Sequence, residues 1–170
     1  MDGLWNAKGG IWKRFFDARP QARAFFTICG ERYTVLLNGG SAAVEDRRTG
    51  ERLARFKNFN YLYTGDIKPD ETEFFALENG KHFYVFSLKN FTQRLRVTLP
   101  RRYEAIDVCG RYSDDGKLLY VPAYKYDKGY TYVLCTYETD TYSLLSMEQM
   151  RCADWNKEWN WVEWNKKRDR

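Results

Sequence analysis

An all-β fold follows from three features of this chain: an excess of aromatic residues, a repeated order of strand and turn, and turn-forming chemistry placed between apolar runs. The 170 residues include Tyr 13, Phe 11 and Trp 6, an aromatic share of 18%. Rings of this kind fit pleated, half-buried surfaces, which tilts the composition toward sheet. At 170 residues the chain is long enough for one well-buried core and too short for two comfortable ones, so a single domain over 1–170 is expected. With 44% hydrophobic and 30% charged residues, it has the composition of a chain that folds.

The elements follow in order. Three segments, Phe26–Leu37, Tyr63–Leu77 and Ile106–Val121, each read as a short strand, a turn rich in Gly, Asp or Pro, and a strand of large apolar residues. They recur at a spacing of about 40 residues, the range expected of four-stranded units. Cys29-Gly30 and Cys109-Gly110 fall at matching places. A second half-unit also recurs: Ala42–Phe56, Lys81–Leu99 and Tyr130–Leu145 each read as strand, polar hairpin turn and strand. Arg48-Thr49-Gly50 offers a residue for positive φ, and Thr139-Asp140 offers side-chain hydrogen bonds to a turn. The sum is about twelve strands of ~5–6 residues, in three sets of four.

Certain of these turns resemble those of β-propeller repeat proteins. Tyr112-Ser-Asp-Asp-Gly-Lys-Leu-Leu-Tyr-Val121 is similar to the Ser-Pro-Asp-Gly-Lys turn and strand common in propeller blades, and Lys68-Pro-Asp-Glu-Thr-Glu-Phe-Phe74 to a variant of it. Val44-Glu-Asp-Arg-Arg-Thr-Gly-Glu51 is similar to an outer hairpin that often reads Asp-x-x-Thr-Gly. The resemblance implies three propeller-like, four-stranded antiparallel blades at about 24–61, 62–103 and 104–147, flanked by 1–23 and 148–170. It says little about chemistry, because propellers host many unrelated functions. Closed propellers have ~4–8 blades, so a stack of three leaves two apolar faces to be covered. The aromatic flanks cap them, a second copy covers them to give six blades, or further sequence of a longer protein does. The first flank carries Trp12 and the last carries Trp155, Trp159 and Trp164. Cys152, Trp155, Trp159 and Val162 recur at helical spacing, which predicts a C-terminal helix.

The remaining features bound the function. A net charge of +5, from 28 Lys and Arg against 23 Asp and Glu, is that of an ordinary charged surface. The start Met1-Asp2-Gly3-Leu4-Trp5 lacks the basic and apolar runs of a secretory signal, and no apolar run reaches the ~20 residues of a membrane span. A cytoplasmic location, no membrane and reduced, buried cysteines are therefore expected. Cys29, Cys109, Cys135 and Cys152 lack zinc-ligand spacing, and no cofactor motif is present. His82, the single histidine, starts a strand and reads as structural. Asp70-Glu71, Asp114-Asp115 and Asp127 sit in turns, where carboxylates bind backbone amides.

The expected function is thus a non-catalytic protein-interaction or scaffold module, partnered by another protein or by its own copies. Trp155, Trp159, Trp164 and Trp12 are the candidate partner-binding residues. Two alternatives stay open. Arg94, Arg96, Arg101 and Arg102 form a candidate basic surface for nucleic acid, with Arg94 and Arg96 on one strand face, although solvated strand positions are the simpler reading. A carbohydrate-binding or glycosidase-like propeller fragment is the other.

Overall fold

The computed structural model describes residues 26–106 and 110–150. Strands and turns account for them, and no helix is found among the described residues. One six-stranded antiparallel sheet runs in simple sequence order: β1 (Phe26–Cys29), β2 (Tyr33–Asp46), β3 (Arg52–Ile67), β4 (Glu73–Glu78), β5 (His82–Ser87) and β6 (Thr92–Thr98). A second sheet has the order β11-β10-β9-β7, from β7 (Glu104–Ala105), β9 (Leu118–Tyr126), β10 (Tyr130–Glu138) and β11 (Leu144–Met150). The short β8 (Arg111–Tyr112) pairs further along β9, so β7 and β8 share one position in the sheet.

Why β4 reads as an unbroken apolar run is clear from what lies on its two faces. Side chains alternate along a strand, and every residue of Glu73–Glu78 is buried. Phe74 and Ala76, with Tyr84 and Phe86 of β5, pack against Ile28, Val35, Leu37, Ala42 and Val44 of the first repeat. Phe75 and Leu77, with Phe83 and Val85, pack against Tyr112, Leu119, Val121, Val133, Cys135 and Tyr137 of the third. The middle strands therefore lie between two cores. At the crossing of β3 and β4 the backbones come close enough to require glycine: a Cβ on Gly65 would lie 2.2 Å from the Phe75 carbonyl oxygen.

The all-β, antiparallel, blade-like reading holds. The second repeat is the latter part of β3 with β4, β5 and β6, and the third is β7/β8 with β9, β10 and β11. The first repeat differs from the expected four strands. Leu37 and Ala42 lie in one strand, β2, because Gly39-Gly40 forms a kink with Gly39 at φ 53° and a shift in register. No boundary falls at residue 61 either, since β3 pairs first with β2 and then with β4. The predicted C-terminal helix lies outside the described residues.

The turn chemistry is as expected at Arg48-Thr49-Gly50 but not at Thr139-Asp140, where Glu138 accepts the Asp140 and Thr141 amides at 2.7 and 2.9 Å and Thr139 Oγ1 donates instead to the Gly116 carbonyl at 2.7 Å. Asp46 accepts the Arg48 and Thr49 amides at 3.0 and 2.8 Å, and Gly50 takes φ 71°. Asp115 accepts the Lys117 amide at 3.0 Å, Ser113 Oγ accepts that of Leu118 at 2.9 Å, and Gly116 takes φ 70°. In the second repeat Glu71 occupies the left-handed position at φ 52°, and its carboxylate accepts the Arg32 amide of the first-repeat turn at 2.9 Å.

Candidate functional site

The first and middle repeats share the six-stranded sheet, while the third repeat is the separate β7–β11 sheet (the third sheet), whose outward face is built by alternation along β9 and β10. Leu119, Val121 and Ala123 point inward with Val133, Cys135 and Tyr137, so Tyr124, Tyr126, Tyr130 and Tyr132 share the other face. Register places Tyr126 opposite Tyr130 and Tyr124 opposite Tyr132. The turn between the strands is made by Lys128 at φ 55° and Gly129 at φ 146°. Ring centroids lie 5.1 Å apart for Tyr126 and Tyr130, 5.8 Å for Tyr124 and Tyr130, and 6.0 Å for the stacked Tyr130 and Tyr132. Such cross-strand aromatic pairs stiffen a hairpin end. Tyr126 and Tyr130 are 72% and 64% exposed, and Leu145 on the adjacent edge is 59% exposed. Met150, at the end of β11, lies opposite Tyr132. This face of rigid rings with polar tips has the composition of an interface core.

The third sheet's inward face is held by a polar latch. Tyr142 donates to Glu73 Oε2 at 2.7 Å, and its hydroxyl lies 2.8 Å from that of Tyr112. Arg94 pairs with Glu73 Oε1, donates to the Asp140 carbonyl and lies over the Tyr142 ring at 5.7 Å. Burial pushes the Tyr142 and Tyr112 hydroxyls well above the usual phenol range. Burial likewise raises the Cys135 thiol to about 11.

Arg94 and Arg96, expected on one face, lie on opposite faces. The register passes from Val85↔Leu95 to Phe86↔Gln93, so Arg94 is the extra residue of a β-bulge that turns it toward the third sheet. Arg96 stays in register with Tyr84 and lies over its ring at 6.0 Å, on the side of the first repeat. Arg101 and Arg102 are exposed in the turn after β6, Arg102 at φ 71°. The four arginines are thus divided among three surroundings. Trp12, Trp155, Trp159 and Trp164 lie outside the described residues. Of the cysteines expected to be buried, Cys135 is and Cys29 is exposed, because β1 turns Ile28 inward and its neighbour outward. Cys109 and Cys152 also lie outside the described residues. The tyrosine face was legible as the two-residue spacing of Tyr124 and Tyr126, and of Tyr130 and Tyr132, across one hairpin turn.

A second feature is an open polar cleft of about 800 Å³ where β3, the β4–β5 turn and β6 meet, lined in part by Lys57, Glu78, Lys81, His82, Tyr84 and Arg96. Among the described residues no group of His, Cys, Asp and Glu side chains is arranged to hold a metal, and no helix is long and apolar enough to cross a membrane.

No protein-family model and no curated protein matches this sequence. Solved structures do. Kuenenia stuttgartiensis hydrazine synthase superposes with a TM-score of 0.60 at 12% identity, over 74% of this chain and 36% of that one. The Myceliophteria thermophila Cps50 (Swd1) β-propeller domain gives 0.60 at 14% identity, over 75% and 44%. The tricorn protease gives 0.55 at 11% identity, over 68% and 12%. The fold is that of part of a β-propeller. At such identities the likeness concerns the fold alone, and the matched part of the chain spans less than half the length of each of these three proteins. Those neighbours differ widely in their named activities, so the partial propeller takes its meaning from the surfaces described above.

Proposed function

We propose that this chain is a non-catalytic, cytoplasmic protein-interaction module that docks a second copy of itself through the tyrosine face of its third sheet. The observation that carries the reading is the contrast between sheet faces. The middle strands are covered on both sides, whereas the outward face of β9 and β10 ends in Tyr126 and Tyr130 at 72% and 64% exposure. Propeller blades bury their faces against neighbouring blades, and an uncovered one is a ready-made contact. The face is also suited to an isologous contact, in which tyrosines of one copy meet those of the other about a two-fold axis.

Light scattering coupled to size exclusion, at two concentrations, tests this. A mass near twice the 20.3 kDa of the chain is expected. The double variant Tyr126→Ser/Tyr130→Ser should return it to the single-chain mass with an unchanged circular dichroism spectrum. A single-chain mass for the wild type at both concentrations would overturn the reading. So would an assembly indifferent to the two substitutions.

A further inference from the structure

None of the four tyrosines of that face lines the polar cleft beside His82, and its construction points to a ligand. Its opening is made by β3. Register with β2 runs from Leu62↔Gly39 to Lys57↔Ser41, so Asn58, Phe59, Asn60 and Tyr61 stand opposite the single residue Gly40. Asn58 takes φ 73° at this bulge, a conformation uncommon for a residue with a side chain.

The charges in the cleft are unevenly satisfied. Glu78 is buried and accepts both the Asn60 amide at 2.8 Å and the Tyr84 hydroxyl at 3.1 Å. Glu104 accepts the Tyr124 hydroxyl at 3.2 Å. The carboxylates are therefore engaged within the protein. Lys57 and Lys81 are exposed, and neither they nor Arg96 form an ion pair among the described residues. Arg96 lies over the Tyr84 ring at 6.0 Å, and Phe59 packs edge-on against that ring at 4.8 Å. His82 Nδ1 lies 3.2 Å from Thr98 Oγ1, which fixes the imidazole plane. Desolvation, followed by the charges of Arg96 and Lys81 and against that of Glu78, holds His82 below the usual histidine range. His82 thus stands beside Lys57, Lys81 and Arg96, three cations that no carboxylate neutralises among the described residues.

We infer that this cleft binds a small phosphorylated molecule, its phosphate held by Lys81, Arg96 and His82 and its polar body lying along Asn58, Asn79 and Gln93. A phosphate monoester carries close to two negative charges and several acceptor oxygens, which suits a guanidinium and ammonium groups better than a neutral polyol does. A cleft of about 800 Å³ is of the size that holds a small molecule.

The single histidine makes the test direct. Its ring proton resonance is followed by NMR while inorganic phosphate, glycerol 3-phosphate or glycerol is added at constant ionic strength. Saturable shifts are expected with the two phosphates and none with glycerol. An anion beside the ring favours its charged form, so the His82 titration midpoint should rise by roughly half a pH unit or more at saturation. The exposed-site variant Lys81→Gln/Arg96→Gln should weaken phosphate binding at least about tenfold while leaving the Tyr112 and Tyr142 resonances in place. Shifts reproduced by chloride, or retained in that variant, would overturn the assignment. An equal response to glycerol would do so as well, by showing a site for hydroxyls rather than for phosphate.

Discussion

Replacing Tyr142 by Phe removes one oxygen from the latch between the middle repeat and the third sheet. That oxygen donates to Glu73 at 2.7 Å and lies 2.8 Å from the Tyr112 hydroxyl. Since Tyr142 gives its proton to the carboxylate, Tyr112 donates to Tyr142. Both bonds are lost together, and the ring volume is kept. A buried hydrogen bond to a charged group contributes about 1.5–3 kcal/mol and a neutral one about 1 kcal/mol. Arg94 still compensates Glu73, which places the cost toward the lower part of that sum, at about 2–3 kcal/mol. For a chain of this size the melting temperature should fall by roughly 5–10 °C. Urea denaturation followed by circular dichroism, together with calorimetry, measures both quantities. Tyr126→Phe, at an exposed position, serves as the control and should stay within about 0.5 kcal/mol of the wild type. If Tyr142→Phe is equally silent, the latch contributes nothing and the reasoning about sheet coupling fails.

Other outcomes follow from the same geometry. Gly65→Ala sets a methyl group 2.2 Å from the Phe75 carbonyl oxygen and should cost about 2–3 kcal/mol, read as a lower urea midpoint. Burial raises the Cys135 thiol from 9.0 to about 11, so its neutral form is favoured by the fold. Its contribution is complete below about pH 9 and is lost as pH rises toward 11, about 3 kcal/mol at a little under 1.4 kcal/mol per unit. Alkylation mapped by mass spectrometry should accordingly label Cys29 in the folded protein and Cys135 only in urea. The Thr141 hydroxyl and the amides of Ser143, Asp140 and Thr141 hold the half-buried Glu138 carboxyl at about 2. Its support of the β10–β11 turn is present above about pH 4.5 and disappears as pH falls through 2, and an NMR titration should find the carboxyl in that low range.

The parts of the fold legible in the sequence are those fixed by local chemistry. Asp46, Gly50, Asp115 and Gly116 specify their turns through hydrogen bonds and φ angles within a few residues, and the structure realises them as expected. What local reasoning missed depended on register. Gly39-Gly40 carries the same residue types in a bulge as in a hairpin, so only pairing with β3 distinguishes a fused strand from two. The same holds for Arg94, whose face is reversed by a bulge that alternation alone does not anticipate. Glu73 carries no signal of its own in the sequence, because its partners come from β6 and from the turn before β11. The tyrosine face was within reach, because its spacing is regular and confined to one hairpin. The tryptophan-rich flanks drew attention from it.

Hydroxyl-radical footprinting of the wild-type chain, at dilute and at concentrated conditions, tests the use of the third sheet most directly. Tyr126 and Tyr130 should be oxidised readily when dilute and protected on association, while the equally accessible Lys57 and Lys81 peptides keep a constant rate. Unchanged oxidation of the two tyrosines in a sample whose mass has doubled would contradict the account, because association would then run through another surface.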